Sequence, residues 1–458
     1  MAPGREQAEL LFEQGSQRLR VRDFPGAEAC FRRAVDLAPG MAEARLNLGF
    51  ALEKQGALAE AESAYFCAMA LDPDLPEVYV DLCALLLRRK RLEEALEVGR
   101  TGLLAFPDSP ALWGNLGSVL ACMQLEGEAE EALRKALSLD PEQHRARYTL
   151  SYLLLRQGRF EEGWQAVESR ARSLELRASI PEQMWQGQCL DGRSLIIAIE
   201  AGCGDLIQYA RYVPYLKAKG AGRLGIVCHP PLRRLFTSLD GVDRVLVLDE
   251  EVSPADWDYW TLPMSLPGLC GTRLESIPAP IPYLHALPEQ VEAWRARLPE
   301  GGLRVGLAWK GNPLCENDTD RSLAHLGVLA PLGTLEGVRL ISLQKGPGEK
   351  EAGRAPAGMD IFDAAPFIQD YADTAALIAS LDLVISVDTS VAHLAGALGR
   401  PCWTLLPHYK TDARWMTDRE DSPWYPGTMR LFRQPPGGTW APVIDTVTRE
   451  LRRLPAPR

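Results

Sequence analysis

Residues 382–406 read DLVISVDTSVAHLAGALGRPCWTLL, and this stretch decides the fold. The run 383–387 is short, apolar and β-branched, as in a strand that is buried on both faces of a sheet. From Val391 onward, apolar residues recur at i, i+3, i+4 and i+7, which is the pattern of one buried helix face. A glycine and a proline then end the helix, and 402–406 predicts the next strand. The stretch therefore predicts a strand–helix–strand unit of an α/β domain.

Asp388, Thr389 and Ser390 lie at the turn between this strand and helix. Such a turn offers backbone N–H groups, the positive end of the helix dipole and two hydroxyls to an anion. His393 lies on the same helix face, and Gly396 continues it without a side chain, which leaves room for a ligand. A helix-capping Asp388 and a structural His393 fit the same residues. A hydrolase triad is disfavoured, because the chain has no G-x-S-x-G motif.

Length and composition limit the class of protein. The 458 residues suffice for about three domains. A net charge of −11 disfavours a general nucleic-acid binder, which needs a basic surface. The N-terminal residues lack a signal-peptide pattern, and no apolar run approaches the ~20 residues of a membrane span. The ten cysteines are scattered singly, as expected for reduced, mostly buried thiols, so we predict a cytoplasmic protein.

The first third of the chain repeats with a period of 34 residues. The period is carried by prolines, by two registers of small residues and by a register of large residues that only Gly99 interrupts. This pattern resembles the tetratricopeptide repeat, in which small residues let paired helices touch and each proline ends a second helix. The residues are Pro39, Pro73, Pro107 and Pro141; Ala27, Ala61, Ala95 and Ala129; Gly15, Gly49, Cys83, Gly117 and Ser151; and Phe31, Tyr65, Leu133 and Val167.

The repeats predict an α-solenoid domain over residues 1–177. Four repeats occupy about 8–141, and a decayed fifth unit, 148–172, is expected to close the stack. The concave surface of such a stack usually holds a peptide or another protein. A structural or dimerising role is the alternative.

Strands replace the 34-residue period in the rest of the chain. Alternating strands and helices predict two doubly wound domains: a first lobe over 185–298 and a second lobe over 302–455. Ligands bind in open α/β folds at the carboxyl ends of the strands, so a cleft between the lobes is the expected site. We further expect residues from about 177 onward to fold without the repeats.

Several segments together resemble a bacterial family that joins tetratricopeptide repeats to a glycosyltransferase domain of the GT-B fold. That domain is similar to the heptosyltransferases (glycosyltransferase family 9) and, more distantly, to protein O-GlcNAc transferase. The resemblance covers nearly the whole chain. The segments are EAGCGDLIQYARYVPYL, VGLAWKGNP, SLQKGPGE, DYADTAALIASLDLVISVDTSVAHLAGALGRPCWTLLP and SPWYPGTMRLFRQ.

The resemblance implies roles for named residues. A D-T-x-x-x-H segment holds the donor's diphosphate in the family, and a basic residue after the first strand of the second lobe, here Arg321 or Lys310, holds phosphate. A G-D pair after the first strand of the first lobe supplies the catalytic carboxylate, which corresponds to Asp205 beside Gly204, with Glu200 as the next candidate base. The implied donor-binding residues are Asp388, Thr389, Ser390, His393, Arg321, Lys310, Gln344 and Lys345.

The function that the resemblance implies is inverting, metal-independent glycosyl transfer from a nucleotide-diphosphate sugar. The sugar nucleotide is a co-substrate, no further cofactor is expected, and the acceptor is a protein or peptide held by the repeats. Asp256-Trp257-Asp258 matches the metal-binding D-x-D of other glycosyltransferases, but that motif belongs to a different fold. The alternatives are a transferase that acts on lipopolysaccharide or another cell-surface glycan, and a repeat scaffold with a degenerate, inactive transferase domain.

Overall fold

A computed structural model describes residues 3–170, 175, 183–248, 250, 253–278 and 280–455. The chain divides into two compact units, Met1–Leu153 and Leu154–Arg458. None of the helices in the described ranges is long and apolar enough to cross a bilayer. All ten cysteines are free, and three of them, Cys67, Cys189 and Cys315, are exposed.

Consecutive helices form the repeat region, and the first eight pack in pairs. Helices α2, α4, α6 and α8 each end two residues before the proline of their repeat, as the sequence predicts. The helices are α1 (Pro3–Arg20), α2 (Phe24–Leu37), α3 (Ala42–Lys54), α4 (Leu58–Leu71), α5 (Pro76–Arg88), α6 (Leu92–Ala105), α7 (Pro110–Cys122), α8 (Glu126–Leu139), α9 (His144–Arg156) and α10 (Phe160–Val167). Helix α9 spans the boundary between the compact units, and α10 lies in the second.

Small residues bring the paired helices together. A Cβ atom on Gly49 would lie 2.6 Å from the ring of Tyr65, so only glycine admits the aromatic side chain there. The third repeat exchanges the two sizes: Cys83 replaces the glycine, and Gly99 replaces the large residue, with 3.4 Å between Sγ and a Cβ built on Gly99. The interruption of the register by Gly99 is thus compensated within the same pair. Close approaches like that at Gly49 occur at Gly15–Phe31 and Gly117–Leu133.

The second unit contains two parallel sheets. The first has the order β3-β2-β1-β4 and the second the order β10-β9-β8-β5-β6-β7. The first sheet contains β1 (Ser194–Ile197), β2 (Arg223–Cys228), β3 (Arg244–Val247) and β4 (Tyr259–Thr261). The second contains β5 (Leu303–Ala308), β6 (Val338–Ser342), β7 (Ile361–Asp363), β8 (Leu383–Val387), β9 (Cys402–Leu406) and β10 (Met429–Arg433).

Helices connect the strands of both sheets. They are α11 (Cys203–Tyr209), α12 (Tyr212–Ala218), α13 (Arg233–Phe236), α14 (Leu266–Leu269), α15 (Pro288–Arg297), α16 (Asp318–Arg321), α17 (Tyr371–Ala379), α18 (Ser390–Ala397) and α19 (Ala441–Arg452). The pattern over 206–216 predicts one helix, whereas the structure has two. Pro214 explains the break, because its ring clashes with the carbonyl of Ala210, four residues earlier.

The architecture is a helical repeat region followed by two parallel α/β sheets, which is the fold class that the sequence predicts. The stretch 382–406 forms β8, α18 and β9, and every residue of β8 and β9 is buried. A core of large apolar side chains, including Trp309 and Phe432, packs against the second sheet.

Candidate functional site

The carboxyl ends of three neighbouring strands gather most of the predicted donor residues. Strand β5 lies between β8 and β6, so Lys310, Gln344 and Asp388 follow adjacent strands at one edge of the second sheet. Arg321 is joined to this edge, because its Nη1 donates to the backbone oxygen of Asp388 over 3.1 Å. Its Nε donates to Asp318 over 3.2 Å.

The hydroxyls of the D-T-S turn already have partners. Thr389, and not Asp388, is the N-cap of α18: its Oγ1 accepts from the N–H of Val391 over 3.3 Å. Ser390 Oγ lies 2.7 Å from the hydroxyl of Tyr371. A ligand at this turn would therefore meet half-buried residues at the start of α18, whose hydroxyls already take part in hydrogen bonds.

The side chains of the two predicted lysines each donate to a nearby glutamate. Lys310 Nζ donates to Glu351 over 2.6 Å, and Lys345 Nζ donates to Glu349 over 3.1 Å. The Gln344 amide oxygen accepts from the backbone N–H of Lys310 over 2.9 Å. Gln344 thus ties the ends of β5 and β6 together, and at 3% exposure it faces the interior.

Gly204 and Asp205 lie in α11, which follows β1 of the first sheet, and they pack against the turn 388–390 of the second sheet. Gly204 is in the first turn of α11, and a Cβ built on it would lie 3.0 Å from Cδ2 of His393 and 3.4 Å from Cα of Ser390. Asp205 Oδ2 accepts from the N–H of Gly202 over 3.2 Å, which caps α11. The structure therefore brings the predicted base next to the predicted diphosphate segment.

Arg414 connects the two sheets at this point. It lies in a short 3-10 turn, Ala413–Trp415, in the loop after β9. Its guanidinium forms an ion pair with Asp205 Oδ1 and donates to Asp412 over 2.9 Å. It also donates to Gln208 over 2.7 Å and lies 3.3 Å from Nε2 of His393. One cation thus bridges the first turns of α11 and α18.

His393 is neutral and enclosed. It is 3% exposed, and burial together with the charge of Arg414 holds its pKa well below 6.5. Its Nδ1 lies 2.9 Å from the hydroxyl of Tyr425, and its ring stacks on Trp415. A neutral imidazole whose Nδ1 carries the proton can accept a hydrogen bond from Arg414 at Nε2. His393 can therefore help to hold the guanidinium in position.

Two carboxylates near Arg414 have opposite pKa shifts. Burial, with a contribution from the charge of Asp412, raises the pKa of Asp388 from 3.8 to about 6. Burial also opposes ionisation of Asp412, but the charge and hydrogen bonds of Arg414 outweigh it and lower the pKa of Asp412. Asp412 is therefore the firmly ionised partner of the arginine.

The alternative base and the D-x-D motif have other roles. The side chain of Glu200 is 1% exposed and pairs with Arg170, whose Nε donates to it over 2.7 Å. Asp258 accepts from the N–H and the hydroxyl of Ser194, both over 2.8 Å, and these bonds hold its pKa at about 2. Within the described ranges, no group of three His, Cys, Asp or Glu side chains is arranged to hold a metal ion.

Sequence reasoning did not identify Arg414, Asp412 and Tyr371 as site residues. Arg414 and Asp412 follow β9, whose neighbour β8 leads into the turn, so their position at the same sheet edge was an available signal. The aromatic side chains of this C-terminal region pack internally: Trp424 is 1% exposed and contacts Phe160, Trp164 and Tyr209.

Protein-family models match segments of both the repeat region and the second α/β sheet. Tetratricopeptide-repeat models match residues 12–76, 127–176 and 110–143. The model described as glycosyltransferase family 9 (heptosyltransferase) matches residues 335–412. The chain carries tetratricopeptide repeats and a glycosyltransferase family 9 domain. The second match includes the turn 388–390, His393, Lys345 and Asp412, whereas Asp205 and Arg414 lie outside it.

Protein FlbA from Caulobacter vibrioides is 33% identical over 331 residues. The alignment covers 66% of this chain and 54% of that protein, so the chain spans about half the length of this relative.

Solved structures with detectable similarity align with 36–47% of the chain. They include MamA from Desulfovibrio magneticus (22% identity, 97% of that chain covered, TM-score 0.32) and a tetratricopeptide-repeat protein from Thermus thermophilus (25%, 96%, 0.33). PilF from Pseudomonas aeruginosa is 19% identical, with 87% of that chain covered and a TM-score of 0.36.

Proposed function

We propose that this protein is an inverting, metal-independent glycosyltransferase that moves a sugar from a nucleotide-diphosphate donor to a protein or peptide acceptor held by its repeats. The observation that carries the proposal is the contact between α11 and α18. A Cβ on Gly204 would lie 3.4 Å from Cα of Ser390, so the carboxylate of Asp205 and the diphosphate segment face one site from two sheets.

Each part of the reaction has a candidate group in this arrangement. The leaving diphosphate gains negative charge, and the N-terminus of α18 with the nearby Arg321 and Arg414 would stabilise it. The acceptor hydroxyl loses a proton, and Asp205 on α11, which faces α18, is our candidate to accept it.

A screen of nucleotide-diphosphate sugars tests the proposal. Full-length protein is first scanned for thermal stabilisation by each sugar nucleotide, and every hit is then tested for hydrolysis and for transfer to protein or peptide acceptors. We expect transfer with inversion at the anomeric carbon, measured by NMR of the product, and no loss of activity with EDTA. A retained anomeric configuration would contradict the inverting mechanism, and sensitivity to EDTA would contradict metal independence.

Asp205→Asn distinguishes a base from a helix cap. Asp205 is the third residue of α11, where the amide oxygen of asparagine can still accept from the N–H of Gly202, but asparagine cannot accept the proton. If Asp205 is the base, turnover should fall by about 10²- to 10⁴-fold. Asp240→Asn, at an exposed aspartate of the first lobe, is the matched control and should leave turnover unchanged.

The other two interpretations predict different results from the same assays. Transfer to lipopolysaccharide or another cell-surface glycan, with none to protein, would favour the glycan acceptor. Absence of both transfer and donor hydrolysis with every sugar nucleotide, in a protein whose repeats still bind a partner, would favour the scaffold.

A further inference from the structure

Arg414 is surrounded by more negative charge than it can neutralise. Its single positive charge contacts Asp205 and Asp412, and Asp388 lies close enough to Asp412 for that charge to raise its pKa. The neighbouring cation, Arg321, is already paired with Asp318. A diphosphate brings further negative charge, so it would compete with these carboxylates for the guanidinium of Arg414.

The two carboxylates are not held equally. Asp412 precedes Arg414 by two residues and accepts from its side chain as well as from its backbone N–H over 3.0 Å. Asp205 belongs to the other sheet, touches the guanidinium at Nη2 alone, and has a second partner in the N–H of Gly202. The two carboxylate side chains are similarly exposed, at 24% for Asp205 and 26% for Asp412, so the difference between them lies in their contacts. Asp205 is therefore the carboxylate that can be exchanged.

We propose that Arg414 binds the donor's diphosphate, and that in the unliganded protein Asp205 pairs with Arg414 where the diphosphate would bind. Donor binding then breaks this ion pair and frees Asp205 to face the acceptor. The inference rests on the proposed function and extends it. His393 acts in this scheme as a positioning residue, because its Nε2 lies 3.3 Å from Nη1 of Arg414 while Nδ1 is bonded to Tyr425. The exchange would expose the base only when the donor is present.

The test is the affinity of the full-length protein for nucleoside diphosphates, measured by isothermal titration with UDP, GDP, ADP and dTDP. Arg414→Gln should weaken the tightest of these by at least about tenfold, since a charge-assisted contact is lost. Asp205→Asn should instead tighten it by about threefold or more, because binding no longer has to break an ion pair. Opposite signs in the two variants are the expected result.

Matched controls come from an ion pair away from the site. Arg193 pairs with Asp258 over 2.9 Å at the start of β1, and Arg193→Gln should leave the affinity unchanged. Asp240→Asn is the control for Asp205→Asn. Arg414→Lys, which keeps the charge, should fall between the wild type and Arg414→Gln, and circular dichroism checks that each variant is folded. If Arg414→Gln does not fold, the sign for Asp205→Asn still decides.

The outcomes separate this inference from the proposed function. Weaker binding by Asp205→Asn, or unchanged binding by Arg414→Gln, overturns the exchange even if the wild type transfers sugar. Opposite signs in a protein that neither transfers nor hydrolyses any sugar nucleotide support the exchange and reject the enzyme. If no nucleoside diphosphate binds the wild type, both are rejected.

Discussion

Asp388, the first residue of the turn 388–390, is 8% exposed, and its pKa of about 6 affects the stability of the folded protein. The folded-state value lies above the ordinary 3.8, so the folded protein binds this proton more tightly than the unfolded chain does. The resulting stabilisation is complete below pH 3.8 and is lost as the pH rises through about 6. Above that pH, the ionised side chain opposes folding.

We therefore predict that Asp388→Asn raises the melting temperature at pH 8. Asparagine has nearly the same shape and no charge, so it removes a cost that a shift from 3.8 to about 6 sets at up to about 3 kcal/mol. The gain should shrink steadily as the pH falls from 7 to 4.5, as measured by thermal unfolding of the nucleotide-free protein. Asp240→Asn serves as the control. A gain that does not depend on pH would show that the charge of Asp388 is not responsible.

At the scale of one element, α18 is packed more tightly than its sequence predicts. Gly396 was expected to leave room for a ligand, and this expectation was wrong, because the ring of Tyr425 fills the space. A Cβ on Gly396 would lie 2.4 Å from that ring. Tyr425 is buried, and its hydroxyl is bonded to His393, so the ring has no free direction in which to move.

Gly396→Ala should consequently destabilise the protein. Overpacking of a filled core typically costs about 1–3 kcal/mol. Gly127→Ala in α8 is the matched control: no atom lies within 4 Å of a Cβ there, and alanine favours a helix over glycine by about 1 kcal/mol. Thermal unfolding should show a lower melting temperature for the first variant only. Equal values for Gly396→Ala and the wild type would mean that Tyr425 does not pack on α18.

Local pattern predicts elements better than it predicts contacts. The period of 34 residues and the run 382–406 predicted the paired helices, β8, α18 and β9, because each depends on neighbours in sequence. The ion pair of Asp205 with Arg414 joins residues 209 positions apart, and nothing in either local sequence indicates it. The space over Gly396 was misjudged for the same reason, since Tyr425 comes from a later loop.

At the scale of the whole molecule, α10 belongs to the second compact unit. Phe160 and Trp164 of α10 pack against Trp424. A Cβ built on Gly268 would lie 3.0 Å from Cβ of Trp164, so these residues are also in close contact. Just after α10, the side chain of Arg170, 5% exposed, pairs with Glu200. The second unit therefore contains residues that the sequence assigned to the repeat domain 1–177.

These contacts change the prediction that residues from about 177 onward fold without the repeats. A fragment of residues 177–458 would lack Phe160, Trp164 and Arg170, so it would expose the face of Trp424 and leave Glu200 buried without its cation. Breaking a buried pair from one side costs about 3–5 kcal/mol, a large part of a domain's stability.

A fragment of residues 144–458 keeps α9 and α10 whole, and we expect it to be soluble, to unfold cooperatively and to bind the same nucleoside diphosphate as the full chain. The 177–458 fragment should be insoluble or should melt much lower. Arg170→Met within the longer fragment separates the two losses: it removes the cation alone and should lower the melting temperature while keeping the aromatic contacts. If both fragments bind nucleotide and melt alike, α10 and Arg170 are dispensable, and the boundary near 177 is the functional one.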